Sequence, residues 1–311
     1  MERARPASNA WLVGLIALVG VLGAVASASG VFLRGDLATT PFTTVRGDTI
    51  DSLVGGVYRF NALPVAAEGV GWDAVTLFLV VPALLLSLPG LWRCSLRARL
   101  LALGLLAYFL YQYAEYAMLL AYGPLFPVYV ATFALAAVGI ALLVATLDLA
   151  SLPARFSPRF PRRATTGLAV FMAVLLAGMW LPLVARTWDQ ASVPELNGAT
   201  TLVVQAFDLG FLVPLGILTA VAVWRRLPVG FVLAPLVVVK ATAMASAIAA
   251  MLLVEAAATG ELAVPPLSIF AATALVSLLI GVRVFGSLGE RGSVPDAPGA
   301  SAVTPVPGLG R

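Results

Sequence analysis

Three ionisable side chains interrupt long apolar runs of this sequence, where charge is costly. Lys240, the single lysine of the chain, lies in the middle of the run Val229–Val254. Asp208 and Glu115 lie inside two other runs of the same kind. A lone charge at the centre of a bilayer costs about 2.5–3.5 kcal/mol on insertion scales, so each group needs a partner or a wet cavity. Charges in such places often mark pathways for protons, ions or solutes, so we consider that chemistry first.

Polar side chains that could surround these charges follow helical spacing. Tyr111 and Gln112 lie on the same predicted helix face as Glu115, and Gln205 lies one turn before Asp208. A short turn joins the run that holds Asp208 to the run that holds the lysine, so the two helices are predicted to be antiparallel neighbours. The sequence therefore predicts a solute- or ion-binding site built from six side chains: Lys240, Asp208, Glu115, Tyr111, Gln112 and Gln205.

Two interpretations of this cluster stay open. In a transporter of a small solute or ion, Lys240 would hold a fixed positive charge, and Asp208 and Glu115 would exchange it for a proton, cation or substrate. In a non-transporting scaffold or sensor that binds a partner subunit or lipid, the same ion pair would only fix the helix register. A Schiff base between Lys240 and a chromophore is a third arrangement, which no other residue of the sequence supports.

Composition places the chain among integral membrane proteins and excludes several classes of site. Of its 311 residues, 61% are hydrophobic and 11% are charged, and the net charge of +4 comes from arginines at the edges of apolar runs. That distribution gives no indication of nucleic-acid binding. The chain has no histidine and one cysteine, Cys94, which excludes histidine-ligated metals and haem and any internal disulfide. We expect no enzyme activity, no catalytic residues, no metal and no cofactor.

Apolar runs of about 20 residues or more, the length that crosses a bilayer as a helix, occur eight times. The predicted spans are Trp11–Leu33, Trp72–Trp92, Leu100–Tyr122, Pro124–Leu149, Thr166–Thr187, Thr201–Trp224, Val229–Val254 and Val264–Val284. Fourteen arginines lie at or beyond one set of span ends and four at the other, so the positive-inside rule places the first set and both termini in the cytoplasm. The sequence thus predicts an all-α, multi-pass helix bundle in the bacterial cytoplasmic membrane.

The predicted bundle occupies residues 1–289, with an external loop at 34–71 and a tail at 290–311. The tail is rich in proline and glycine, and we expect it to be disordered in the cytoplasm. The first span competes with a cleavable signal peptide, because Ala26–Ala28 resembles a cleavage site. Its apolar character continues through Leu33, which favours retention as a true span.

Other charged and aromatic residues near span ends have simpler predicted roles. Asp73 and Glu255 lie at outer span ends, where water is available, and we expect solvated side chains there. Tryptophans close to predicted boundaries, Trp72 among them, are expected to be interfacial anchors.

The second and sixth spans match at a fixed offset of 132 residues. Phe78–Pro82 lies over Gly210–Pro214, and the tryptophan-arginine pairs that follow these segments also coincide. The fourth and eighth spans match more weakly. We infer a duplication of four plus four spans, with both halves oriented alike about an axis along the membrane normal, although apolar sequences also align readily by chance. The two halves are residues 8–150 and 164–289.

The stretch Tyr108–Tyr116, with Pro124–Tyr129, Asp208–Pro214 and Lys240, resembles a group of uncharacterised prokaryotic multi-span membrane proteins. The likeness covers the second to the eighth span. The group has no assigned activity, so the resemblance implies a membrane location but no chemistry. We expect the lipid bilayer to surround the protein, and its candidate partners are a small solute or ion, a partner subunit or a second copy of the chain.

Overall fold

Eight long α-helices and one β-hairpin form the protein in the computed structural model, which describes residues 6–190 and 193–289. The helices are α1 (Pro6–Phe32), α2 (Leu63–Trp92), α3 (Leu96–Leu119), α4 (Phe126–Ala145), α5 (Arg162–Thr187), α6 (Val203–Trp224), α7 (Gly230–Thr259) and α8 (Val264–Gly286). The hairpin strands, β1 (Thr39–Thr43) and β2 (Thr49–Leu53), lie between α1 and α2. Short helical turns occur in the connections at Leu149–Ser151, Leu152–Arg155 and Pro194–Leu196. The predicted all-α class is confirmed.

Seven of these described helices are long and apolar enough to cross a bilayer, so the chain is a multi-pass membrane protein. The exception is α3, which is 24 residues long but carries several tyrosines, Gln112 and Glu115 in its second half. These polar side chains are buried by neighbouring helices rather than turned toward lipid. The predicted count of eight spans therefore depends on α3, a helix with polar side chains in its second half that neighbouring helices enclose.

The second span, α2, begins at Leu63 rather than at the predicted Trp72, so the loop predicted at 34–71 is shorter than expected. The early turns of α2 contain the buried residues Ala66, Ala67 and Val70, and the helix packs along α7. A helix covered by another helix needs less apolar surface than one facing lipid, so hydropathy underestimates its length. Trp72 consequently lies inside the helix and is buried, and its predicted interfacial position is wrong.

The hairpin and the connection between α5 and α6 meet outside the bundle. Thr39 of β1 pairs with Leu53 of β2 in an antiparallel register. Arg46, in the hairpin turn, donates a 2.9 Å hydrogen bond to the carbonyl oxygen of Gln190. The predicted external loop is therefore a hairpin followed by the first turns of α2.

The central helix of the bundle is α7, which packs against α2, α3, α6 and α8. Small residues allow close approach to the first two of these. An added Cβ at Gly71 of α2 would lie 2.6 Å from backbone atoms of Met251, and one at Gly104 of α3 would lie 2.5 Å from Cβ of Val239. The N-terminal helices are packed together in turn, since α1 contacts α2 and α4 and buries Ile16 completely.

A π-helical turn interrupts both α2 and α6, at Thr76–Val80 and Asp208–Leu212. In each turn the amide that follows it bonds five residues back, from Val81 to the Thr76 carbonyl and from Val213 to the Asp208 carbonyl. A proline comes next in both helices and cannot donate to the preceding turn, so an α-helical ladder could not continue unchanged. The two interruptions stand at the 132-residue offset found in the sequence.

The arginine-bearing helix ends gather at one end of the bundle. Arg97 donates a 2.8 Å hydrogen bond to the carbonyl oxygen of Leu288, and the amide of Gly289 donates to the carbonyl oxygen of Arg155 over 2.9 Å. These bonds join the start of α3, the connection between α4 and α5, and the chain after α8. The predicted disordered tail, 290–311, lies outside the described residues.

Substituting Gly71 by Ala should destabilise the bundle, because the added methyl would overlap the backbone of Met251. Overpacking of this kind typically costs about 1–3 kcal/mol. The matched control is Gly178→Ala in α5, where an added Cβ would have nothing within 4 Å. Thermal unfolding in detergent, followed by tryptophan fluorescence, should show a lower Tm for Gly71→Ala only. Equal melting temperatures would mean that α2 and α7 do not touch at this point.

Candidate functional site

Tyr111 connects the two charges that the sequence singles out. The ammonium of Lys240 lies over the face of its ring, with Nζ 4.0 Å from the centroid. The Tyr111 hydroxyl donates to Oδ1 of Asp208 over 2.7 Å. The indole N–H of Trp180 in α5 donates to the other oxygen, Oδ2, also over 2.7 Å. Side chains from α3, α5, α6 and α7 thus meet at one place in the bundle.

The direct ion pair expected for Lys240 is not formed. Across residues 6–190 and 193–289, no carboxylate oxygen lies within 4.0 Å of its ammonium. Tyr111 instead offers its negative ring face to the cation and its hydroxyl to the carboxylate. A desolvated cation–π contact is worth about 2 kcal/mol, which offsets part of the cost of burying the ammonium. Asp208 and Glu115 still act on Lys240 through longer-range electrostatic attraction.

Glu115 is the member of this group whose hydrogen bonding is incomplete. It lies one turn after Tyr111 on α3 and is 3% exposed. Its Oε2 has no hydrogen-bond partner among the described residues. The like charge of Asp208 repels its carboxylate, and the opposite charge of Lys240 attracts it. An unpaired buried acceptor costs about 1–3 kcal/mol, and more when charged, unless a proton or a ligand supplies the missing bond.

The two predicted glutamines have different positions. Oε1 of Gln112 accepts a 2.8 Å hydrogen bond from the Thr76 hydroxyl, and its Nε2 donates to Oδ1 of Asp73 over 3.4 Å. Gln112 therefore belongs to a second polar cluster. Gln205 is buried on α6, one turn before Asp208. The predicted residues that the structure brings into one group are Lys240, Tyr111, Asp208 and Glu115.

Asp73, expected at a solvated span end, lies in that second cluster and is 1% exposed. Tyr58 donates a hydrogen bond to its Oδ2, and Tyr116 donates to its Oδ1 over 3.3 Å. Tyr58 comes from the segment between β2 and α2, and its burial and the nearby Asp73 charge raise the pKa of its phenol above the usual value. Tyr58 therefore stays protonated as a donor. The expectation of a solvated Asp73 is wrong.

The two clusters occupy matching positions in the chain. Thr76 and Asp208 each begin a π-helical turn, and they stand 132 residues apart. Tyr108 and Lys240 are separated by the same offset. The Thr76 and Tyr108 hydroxyls lie 2.8 Å apart in a hydrogen bond. A neutral pair in the N-terminal part therefore corresponds to a charged pair in the C-terminal part.

Two tryptophans complete the site, and sequence reasoning missed both roles. Trp180 stands inside its predicted span rather than at an end, which could have indicated a donor to a buried acceptor. Trp72 packs against Tyr111 and Tyr116, with ring centroids 6.1 and 5.4 Å apart. In the part of the chain that the structure describes, the Trp72 indole nitrogen has no hydrogen-bond partner. An unpaired donor and an unpaired carboxylate oxygen therefore belong to two neighbours of Tyr111.

Removing the Tyr58 hydroxyl should destabilise the protein, because Tyr58→Phe takes one donor from a buried carboxylate. The cost should be about 1–3 kcal/mol, seen as a lower Tm in detergent. Tyr122→Phe makes the same chemical change at a side chain that is 80% exposed, and it should leave Tm unchanged. A Tyr58→Phe protein as stable as the wild type would show that this hydrogen bond contributes nothing to folding.

Comparison of the chain with protein-family models, curated proteins and solved structures gave no match. Within residues 6–190 and 193–289, no group of three or more acidic or cysteine side chains is arranged to hold a metal ion. The geometry of the buried charges is therefore the basis for assigning a function.

Proposed function

We propose that this protein transports a small solute or ion across the bacterial cytoplasmic membrane and has no enzyme activity of its own. The observation that carries the proposal is the unpaired Glu115 oxygen beside the group formed by Lys240, Tyr111 and Asp208. In this proposal Lys240 holds a fixed positive charge and Asp208 is its counter-charge. Glu115 binds and releases a proton or a cationic group, and Trp72 offers its indole N–H to the solute.

The contrast between the two buried clusters supports this assignment. The carboxylate of Asp73 accepts hydrogen bonds from Tyr58, Tyr116 and Gln112, as a structural cluster should. The cluster around Lys240 is buried to a similar degree but leaves one carboxylate oxygen, Oε2 of Glu115, without a partner among the described residues. An unpaired buried polar atom is costly in a static bundle. In a transport cycle, a bound proton or solute would supply the missing hydrogen bond for part of the time. The same contrast favours a structural role for the Asp73 cluster.

An eight-span duplication would place this cluster between two halves of the protein. In this arrangement α3 is the eighth span, and residues 8–150 and 164–289 form parallel halves with both termini in the cytoplasm. The matching π-helical turns of α2 and α6 support the duplication. The cluster then lies where α3 of one half meets α6 and α7 of the other. Transporters often build sites at repeat interfaces beside interrupted helices, and π-helical turns are common at functional sites.

Two more glutamates extend the cluster toward the outer end. Gly71 of α2 packs on Met251 of α7, and Glu68 and Glu255 lie about one turn farther out on these helices. Electrostatic interactions connect Glu68 with both Glu255 and Glu115. Glu255 is only partly buried, so a line of carboxyl groups leads from the surface to the cluster. A route of closely spaced carboxyl groups suits a proton or a cation as the coupled species.

Neutralising the charges should slow coupled transport strongly. Lys240→Met combined with Asp208→Asn removes both charges together and so leaves neither one buried alone. Loss of an interaction with a charged group, worth about 1.5–3 kcal/mol, should lower the transport rate roughly ten- to hundredfold. Glu115→Gln keeps the shape of the site but cannot release a proton, so it should uncouple proton movement from solute movement. Vesicles loaded with a pH-sensitive dye and challenged with amino acids, carboxylates and sugars would measure both effects.

Asp148→Asn is the matched control, because this exposed carboxylate lies at the other end of the bundle and should not affect transport. Tm measured on the same preparations separates the two candidate functions. Loss of transport with Tm retained supports a transporter. Transport by the double variant at the wild-type rate would mean that the cluster is structural. The same conclusion would follow if no solute in the panel drives flux by the wild type and the double variant has a lowered Tm. The protein would then be a scaffold or sensor that binds a partner subunit or lipid.

A further inference from the structure

A groove open to the surrounding lipid lies between α2, α3, α7 and α8, in the arginine-bearing half of the bundle. Its volume is about 560 Å³. The rims carry strongly exposed apolar side chains, with Leu86 of α2 81% exposed and Val282 of α8 64% exposed. The groove thus joins the interior of the protein to the lipid phase, and it does not include the charged cluster around Lys240.

The groove has a polar end and an apolar length. Ser95 and Arg97 line it where α3 begins, at the end of the bundle that gathers the arginines. Farther along, Thr242 is the polar side chain of the α7 wall, and its hydroxyl already bonds to the Val238 carbonyl and to Ser277. Arg97 uses one nitrogen for the Leu288 carbonyl, which leaves further guanidinium donors for a ligand.

We propose that this groove binds one anionic glycerophospholipid, with an acyl chain along the apolar walls and the phosphate at Arg97. A molecule of this class has a negative headgroup, which would match the end of the groove at Arg97, and a long acyl chain, which would match the apolar walls. Basic residues on the cytoplasmic side attract anionic headgroups, and pockets between helices commonly hold them there. The proposal is independent of transport, because it rests on the shape and charge of a different part of the bundle.

The floor of the groove suits a thin chain better than a helix. An added Cβ at Gly90 would lie 2.7 Å from Cβ of Ala98, so the wall there is already closely packed. An added Cβ at Gly281 of α8 would meet only Val238, at 3.8 Å, so the space in front of Gly281 is open. A narrow, deep space with small residues on its walls accepts an acyl chain, while a second protein helix would need a broader surface.

Native mass spectrometry of the purified protein, titrated with phosphatidylglycerol or phosphatidylcholine of the same chain length, tests the proposal. The wild type should bind the anionic lipid about fivefold more tightly, the factor expected for one basic residue near an anionic headgroup. Arg97→Gln should remove this preference and leave the weaker binding of phosphatidylcholine. Gly281→Leu should fill the groove and weaken binding of both lipids. The two variants therefore test the headgroup and the chain separately.

Matched controls are Arg159→Gln, at an exposed arginine of the same end, and Gly178→Leu, on a lipid-facing part of α5. Both should bind lipid as the wild type does. Equal affinity of the wild type for the two lipids, or a preference that survives in Arg97→Gln, would overturn the proposal. A mass peak for a dimer that Gly281→Leu abolishes, without bound lipid, would assign the groove to a second copy of the chain. Should Gly281→Leu fail to fold, Arg97→Gln alone decides the outcome.

Discussion

One tyrosine side chain accommodates both buried charges of the cluster, and this double contact is the constraint on which the arrangement of α3, α6 and α7 depends. The ring of Tyr111 stabilises the ammonium of Lys240, and its hydroxyl holds Asp208 together with the indole of Trp180. A direct salt bridge would satisfy the two charges mutually and leave nothing for a third group. Because an aromatic ring separates the two charges, neither fully neutralises the other. The nearby carboxylate of Glu115 therefore interacts electrostatically with both Lys240 and Asp208.

The two polar clusters hold different partners at positions 132 residues apart, neutral in one and charged in the other. Thr76 and Tyr108 satisfy each other with an ordinary hydrogen bond, at the positions that correspond to Asp208 and Lys240. Both pairs are placed by a π-helical turn and by the helix that follows in the chain. A neutral pair at this location stabilises the N-terminal helices without a large desolvation cost. The charged pair carries that cost, which the ring and hydroxyl of Tyr111 offset in part.

The helical, multi-pass character of the fold could be predicted from the sequence, because the length of an apolar run reports directly on contact with lipid. The grouping of Lys240, Asp208 and Glu115 could also be predicted, since charges in apolar helices need partners. The burial of Asp73 could not be predicted, because a polar residue near the end of an apolar run looks solvated when the covering segment is far away in sequence. The turning of Gln112 toward that aspartate depends on which helices flank α3. Helical spacing alone cannot give that information.

The close approach of Gly71 to Met251 has a mechanical consequence for the molecule as a whole. Because Gly71 allows the backbones of α2 and α7 to approach closely at Met251, these two helices cannot slide or separate easily at this point. Gly104 of α3 makes a second close approach, to Val239 of α7 on the wall of the groove, so any rocking of the two sets of helices must pivot about both contacts. A molecule that fills the groove would resist this motion. The lipid proposed to bind there would in this way limit how far the two sets of helices can swing.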